Sequence, residues 1–213
     1  MKRHIIFILF VLAMCLPNIY AQMGIKAGVN LANEIKSFNK VDIVEGFSKE
    51  NLTGYQVGLI YEMFRKKSAL GADIGTFISQ KGYTIIDNIS LENSYKEFNY
   101  LELPFNLRYR FSTKIIGAYA TCGLYAGYIL SGKSGNLTDS IVQNISFANK
   151  EERFDYGYNL GVGIEFFKKI QLGLSWSQGL KNTIASLKND ETLALPNDIR
   201  VFNVNLVYLF SKK

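Results

Sequence analysis

The sequence predicts an all-β fold, an eight-stranded antiparallel up-and-down transmembrane β-barrel. Three observations lead to this prediction. Apolar and polar residues alternate in eight segments, the connections between them are alternately short and long, and the 213 residues include 13 Tyr, 15 Phe and 18 Gly but only 3 Pro. Strands are enriched in aromatic residues and depleted of proline. With 48% hydrophobic residues and 2 Cys, the composition excludes a disordered chain and a disulfide scaffold.

The eight alternating segments are the predicted strands. Each has a period of two residues, which is the period of a β-strand. Each is also close to the roughly 9–11 residues that a tilted strand needs to cross a bilayer. No apolar run of 18 or more residues follows residue 21, so we expect no membrane-spanning helix. The segments are 24–31, 54–63, 70–79, 101–111, 117–128, 155–166, 170–177 and 202–210.

One face of each segment is apolar, and the other carries Gly, Asn and charged residues. The interior of an eight-stranded barrel has room only for side chains, so we expect the small polar set inside and the large Tyr, Leu, Phe and Trp residues against lipid. A slip of the fourth segment by one residue would turn Arg108 and Arg110 towards hydrocarbon. This would cost roughly 2–4 kcal/mol for each residue near the bilayer midplane, which fixes the register.

The connections support a membrane barrel. Short turns at 65–68, 112–114 and 168–169 alternate with long loops, and outer-membrane barrels have short periplasmic turns and longer outer loops. The short turns and the tail Ser211-Lys212-Lys213 contain Lys and Arg but no Asp or Glu. The predicted long loops are residues 33–51, 87–96, 134–152 and 182–198.

Aromatic residues near the strand ends predict the two interfacial girdles of such a barrel. We also expect a bulge or a local bend at Pro104, which lies inside the fourth segment and cannot donate to the strand ladder. The predicted girdle residues are Tyr55, Phe64, Tyr109, Phe111, Tyr128, Phe154, Phe166, Trp176, Tyr208 and Phe210.

The first 21 residues have the pattern of a secretory signal peptide. Lys2 and Arg3 precede an apolar run at 5–16, and Ala21 is a small residue suited to cleavage. We therefore assign 1–21 to a signal peptide and 22–213 to an outer-membrane β-barrel domain of 213 − 21 = 192 residues. Cys15 offers a lipoprotein alternative, although the preceding Met14 is larger than a lipobox favours.

Cleavage at this point leaves little catalytic chemistry in the chain. The one histidine, His4, leaves with the signal peptide, and Cys122 becomes the only cysteine. Histidine-based triads and histidine-containing metal sites are thereby excluded. We expect a protein that is not an enzyme and that has no cofactor and no metal site.

Eight charged residues fall on the predicted inner face. One interpretation is an ion path or a binding site within the lumen. The other, which we favour, is a salt-bridged plug that holds the strands in a narrow, dry interior. These residues are Lys26, Glu62, Asp73, Glu102, Arg108, Arg110, Asp155 and Glu165.

Several motifs resemble those of the PorT-like outer-membrane β-barrel family of Bacteroidota. The resemblance covers nearly the whole chain after residue 21, and it implies an eight-stranded barrel in the outer membrane of a Gram-negative bacterium. A few members of that family are linked to secretion and gliding, and the family implies no single activity. The motifs are Gly24-Ile25-Lys26-Ala27-Gly28-Val29-Asn30, Tyr100-Leu101-Glu102-Leu103-Pro104-Phe105, Phe154-Asp155-Tyr156-Gly157 with Gly161-Val162-Gly163, and Ser177-Gln178-Gly179-Leu180-Lys181-Asn182.

These observations predict a non-enzymatic integral outer-membrane protein with a structural or interaction role. Its expected partners are outer-membrane lipid, the assembly machinery that reads the C-terminal Tyr208-Leu209-Phe210, and a protein partner at the long loops or the periplasmic turns. The formal charge of +6 would suit nucleic acid, but the cations cluster in short turns and there is no recognition helix, so none is expected. The alternatives are a soluble lipocalin-like carrier of a lipophilic ligand, which needs inward apolar residues, and a narrow channel.

Overall fold

The computed structural model describes residues 19–35, 47–65, 68–87, 93–113, 115–136, 142–145, 147, 150–180 and 198–210. Almost all of them are in strands, with one 3-10 helix at Lys150–Arg153. The predicted signal peptide lies largely outside this range, and the first strand begins three residues before the predicted cut. The strands are β1 (Ile19–Ile35), β2 (Phe47–Arg65), β3 (Leu70–Asp87), β4 (Asn93–Ser112), β5 (Ile116–Asn136), β6 (Val142–Asn144), β7 (Phe154–Phe166), β8 (Ile170–Gly179) and β9 (Asp198–Leu209).

Eight of these strands form a closed antiparallel barrel, as the sequence predicts. Their order is β4-β3-β2-β1-β9-β8-β7-β5, and pairing between β4 and β5 closes the ring. The ninth strand, β6, is short and pairs with β5 at Lys133, Ser134 and Gly135. The predicted loop 134–152 therefore contains β6 and most of the 3-10 helix, neither of which the sequence predicts.

The hydrogen-bond register gives the barrel a shear of ten residues. A path that starts at Met23 on β1 and steps from each residue to its partner on the next strand returns to β1 at Asn33. The offset along β1 after one circuit is the shear, 33 − 23 = 10. Shear sets strand tilt, which is roughly 35–45° in barrels, and a larger shear widens the interior. The partners along this path are Met23, Tyr61, Ile74, Phe105, Leu124, Tyr158, Gln178, Arg200 and Asn33.

The predicted inside-out arrangement is confirmed. Leu103, Leu172 and Leu206 are 48%, 46% and 55% exposed on the outer wall, whereas Arg108 is only 3% exposed inside. A soluble carrier needs the opposite arrangement. The expectation that all large aromatic residues face outwards is wrong, however, because Phe64, Phe77 and several tyrosines line the lumen.

Glycines on neighbouring strands make room for these inward aromatic rings. The Phe77 ring occupies the space that a Cβ atom on Gly58 or Gly75 would need, and the Tyr119 hydroxyl lies over Gly163 and Gly173. Phe64, which the sequence assigned to a girdle, lies in the same way over Gly71 and is 5% exposed. The inward glycines therefore do more than narrow the barrel, since they form the hollows into which the rings pack.

Pro104 does not produce the expected bulge. It pairs with Tyr125 on β5 in unbroken register, and the shift in this ladder occurs instead at Asn99/Tyr100. On its other side, the β3–β4 ladder lapses between the pairs Ile74–Phe105 and Phe77–Glu102 without a change of register. The missing N–H of proline is accommodated by this gap in the ladder.

A substitution that adds one methyl group tests the packing of rings onto glycines. We expect Gly163→Ala to destabilise the barrel by about 1–3 kcal/mol, because the new methyl group meets the Tyr119 ring and the Leu172 carbonyl. Gly127→Ala is the matched control, since its nearest neighbour is 3.5 Å from the added Cβ atom. Urea unfolding in lipid vesicles measures both changes. Equal stability of the two variants would contradict this account.

Candidate functional site

The lumen is the candidate site, and all eight predicted charged residues lie there or at its edge. Seven of them separate into two ionic clusters along the barrel. The eighth, Lys26, lies against the Phe77 ring with its ammonium 5.1 Å from the ring centroid. Among the described residues, no carboxylate lies within salt-bridge distance of Lys26. The first cluster contains Glu62, Asp73, Arg108, Arg110 and Glu165, and the second contains Glu102 and Asp155.

Arg108 is the centre of the first cluster, which lies nearer the short turns. Its Nε donates to Asp73 Oδ2 at 2.9 Å, and its Nη1 lies 2.9 Å from Glu62 Oε1. The guanidinium also stacks 4.1 Å from the centroid of the Tyr119 ring. All three charged side chains are at most 4% exposed, so the pairs are shielded from water. Arginine suits this position because its planar fork can bind two carboxylates and an aromatic face together.

Gln171 connects this pair to the rest of the cluster. Its amide nitrogen donates to Glu62 Oε1 at 2.9 Å and to Glu165 Oε2 at 3.1 Å, while its carbonyl accepts from Arg108 at 3.2 Å. Arg110 lies 3.4 Å from Glu165 and stacks on the Phe64 ring at 3.7 Å. The sequence places Gln171 on the inner face, but an uncharged residue gave no reason to select it.

The second cluster lies towards the long loops and is built around Lys81. Lys81 forms an ion pair with Glu102, and its ammonium lies about 5 Å from the centroids of the Tyr100 and Tyr125 rings. The Tyr125 hydroxyl donates to Asp155 Oδ2 at 3.1 Å. Sequence analysis missed Lys81 because the third alternating segment was ended at residue 79. Extending the two-residue alternation from Ser79 to residue 81 places this lysine on the inner face.

A chain of amides joins β9, β1 and β3 in the same half of the lumen. Asn205 donates to Asn203 at 2.8 Å, Asn203 donates to Asn30 at 2.7 Å, and Asn30 donates to Ser79 at 2.9 Å. Asn203 and Asn30 each act as both donor and acceptor, so these two buried amides satisfy polar groups on either side of them. These hydrogen bonds hold three strands together without any net charge.

The space left between the two clusters is small. It forms a cavity of about 80 Å³ lined by Lys26, Asn106 and the amide chain, among others. A water molecule needs roughly 10–15 Å³ by this measure, so the cavity has room for a few waters. Tyr83, Phe98, Tyr100 and Ile129 pack into an apolar layer at the long-loop end of the lumen. Ionic, polar and apolar layers thus fill the barrel along its length.

Among the described residues, the lumenal carboxylates are paired, whereas Lys26 has no carboxylate within salt-bridge distance. All five lumenal carboxylates contact a lumenal donor, which fits a plug of mutually bonded groups. Among the described residues there is no group of three His, Cys, Asp or Glu side chains able to hold a metal ion. The described part of the chain likewise has no helix long and apolar enough to cross a membrane.

The outer wall is continuously apolar. Leu124, Val162 and Tyr109 are each more than half exposed, which a water-soluble protein of this size does not show over a whole surface. A shallow apolar groove of about 680 Å³ runs along this wall past Ala120 and Cys122. Together with the filled polar lumen, this wall defines the class of protein as an integral membrane β-barrel.

A family comparison agrees with this class. Residues 13–185 match the model of the outer membrane protein beta-barrel domain, and the chain belongs to that family. It is an outer-membrane protein in contact with membrane lipid. A comparison with curated proteins found no match.

Three solved structures are similar to this chain. Ail of Yersinia pestis is 13% identical, with 89% of this chain and 99% of that chain covered and a TM-score of 0.44. Neisserial surface protein A is 10% identical over 90% and 99%, with a TM-score of 0.46. OprG from Pseudomonas aeruginosa is 10% identical over 91% and 96%, also with a TM-score of 0.46.

Removal of the central cation tests the first cluster. We expect Arg108→Met to destabilise the barrel by about 3–5 kcal/mol, because Glu62 and Asp73 would remain buried without their partner. Lys133→Met, at an exposed site on β5, is the control and is expected to change stability by less than about 0.5 kcal/mol. Urea unfolding followed by the fluorescence of Trp176, the one tryptophan, measures both. A cost below about 1 kcal/mol for Arg108→Met would contradict the plug.

Proposed function

We propose that this protein is a non-enzymatic outer-membrane barrel with a closed lumen, which acts as a structural and interaction element. The observation that carries the proposal is the filled interior. The lumenal carboxylates are bonded to neighbouring side chains, and the remaining cavity is about 80 Å³. Function is therefore assigned to the surfaces outside the membrane, namely the long loops and the short turns.

The closed lumen favours this role over the two alternatives. A carrier of a lipophilic ligand needs a cavity of roughly 300–1,000 Å³ with an apolar lining. The cavity here is smaller, and Asn30, Asn106 and Asn203 line it. A channel needs a continuous polar path, whereas the Arg108 cluster and the apolar layer at Phe98 lie across the lumen on either side of the cavity.

Two finer assignments extend the proposal. The motifs quoted above support a place in the PorT-like branch of Bacteroidota barrels, with a link to secretion machinery as the associated role. The signal-peptide pattern at 1–21 and the aromatic residues at 208–210 support export, cleavage after Ala21 and insertion by the outer-membrane assembly machinery.

Planar-bilayer recording tests the closed lumen. The purified protein is expected to give no conductance steps, because the ionic cluster around Arg108 and the apolar layer around Phe98 block the path through the barrel. A general porin reconstituted in the same bilayer serves as the positive control. Reproducible steps from the wild-type chain that change in size with Arg108→Met would favour the channel instead.

Crosslinking in living cells tests the interaction role. A photo-crosslinking amino acid at Val142 or Leu180, each 53% exposed at the long-loop end, is expected to capture a defined protein partner. The same probe at Leu124, which is 65% exposed on the lipid-facing wall, is the matched control and should capture lipid alone. Identical products from all three positions would count against the proposed role of the loops.

A further inference from the structure

The hairpin turn between β7 and β8 has an unusual conformation. The Lys169 amide donates to the Phe166 carbonyl at 3.0 Å, so Phe167 and Lys168 are the two central residues of a tight turn. Their φ angles are 52° and 56°. Positive φ at both central positions is the type I′ pattern, which strongly favours Asn-Gly. A bulky residue such as phenylalanine in this region is a genuine outlier.

This turn is also held firmly in place. The Phe167 amide donates to the Ile115 carbonyl at 2.8 Å on the β5 side, and the Leu209 amide donates to the Lys169 carbonyl at 2.7 Å on the β9 side. The neighbouring strands therefore fix the backbone that carries Phe167, Lys168 and Lys169. Strained residues of this kind persist where the surrounding structure over-determines them, and they cluster at functional sites.

The side chains of the turn are directed outwards. The turn carries Phe-Lys at its two central positions, where Asn-Gly would be less strained. Phe167 is 65% exposed, and Lys168 and Lys169 are also exposed. Phe111 and Ile116, on adjacent strands, are more than half exposed on the same end of the wall. The turn thus lies where the apolar wall meets the aqueous phase, with an aromatic ring beside two ammonium groups.

The segments that the sequence predicts as short turns, together with the tail, carry side-chain charge of one sign. Segments 65–68, 112–114, 168–169 and 211–213 together contain eight Lys or Arg and no Asp or Glu. In the described part of this end, the nearest carboxylate on β7 is Glu165, which is fully buried and bonded to Gln171 and Ser112. Lys168 and Lys169 are therefore available to an external anion.

We propose that the Phe167–Lys169 turn binds the phosphate headgroup of an anionic phospholipid in the leaflet at the short-turn end of the barrel. Phe167 lies at the depth of the glycerol backbone, where aromatic rings are favoured, and the two lysines bind the phosphate. The acyl chains lie along the exposed wall above Ile116 and Phe111. The lipid is the occupant because a single patch combines an apolar wall, an interfacial ring and exposed cations.

Lipid binding by the purified full chain in detergent tests this proposal. Native mass spectrometry compares phosphatidylglycerol with phosphatidylcholine of the same acyl chains. We expect the wild type to prefer phosphatidylglycerol, and the double variant Lys168→Gln, Lys169→Gln to lose about fivefold of that preference for each lysine removed. The control, Lys133→Gln with Lys150→Gln, removes two exposed cations at the long-loop end and should keep the preference.

A second variant separates binding from folding. Phe167→Asn with Lys168→Gly supplies the favoured type I′ residues, so we expect unchanged or higher resistance to urea together with a weaker preference for phosphatidylglycerol. An unchanged preference in both turn variants, or an equal loss in the control, would overturn the proposal. Displacement of the lipid by an equal concentration of inorganic phosphate would overturn it as well, because the site would then bind the free anion. Absence of any wild-type preference would have the same consequence.

Discussion

The buried pairing of Arg108 with Glu62 and Asp73 is the interaction on which the rest of the lumen depends. Charges taken out of water cost several kcal/mol each unless excellent geometry compensates for the loss of hydration. Here one guanidinium contacts both carboxylates at 2.9 Å and an aromatic face as well. Because these groups come from β2, β3 and β4, the pairing requires the register of three strands to be correct at once.

The aromatic rings and the glycines of the lumen together fill the interior volume of the barrel. A shear of ten residues gives eight strands a wider interior than small polar side chains can fill, and an unfilled interior would admit water to the ionic groups. Tyr119 fills the space over Gly163 and Gly173 and covers the Arg108 guanidinium on its other face. Phe64 does the same for Arg110 over Gly71. The rings therefore act as the low-dielectric walls within which the ion pairs are strong.

The sequence could predict the barrel because its alternation has only two registers, and one of them exposes arginine to hydrocarbon. The same alternation puts eight charged residues on the predicted inner face, and in the structure they lie in the lumen or at its edge. It could not predict which of them would meet, since Arg110 and Glu165 are 55 positions apart in the chain and Lys81, the partner of Glu102, was not among the eight. The aromatic character of one residue also led to a wrong prediction. Phe64 was assigned to the outer wall because it is aromatic. Its position in the two-residue alternation points inwards, however, and the position of Lys81 does so too.

The two ends of the lumen are closed by different kinds of residue, apolar at one end and ionic at the other. Towards the long loops, the lumen ends in the apolar layer around Phe98 and Tyr83, and β5 continues far enough to pair with β6 outside the ring. Towards the short turns, the ionic cluster lies directly inside the turn that carries Phe167 and Lys168, since Glu165 is two residues from Phe167. Glu165 in turn contacts Gln171 at 3.1 Å and Arg110 at 3.4 Å. Strand β7 thus carries both a residue of the ionic cluster and the start of the strained turn, whose backbone is held by the hydrogen bonds to Ile115 and from Leu209.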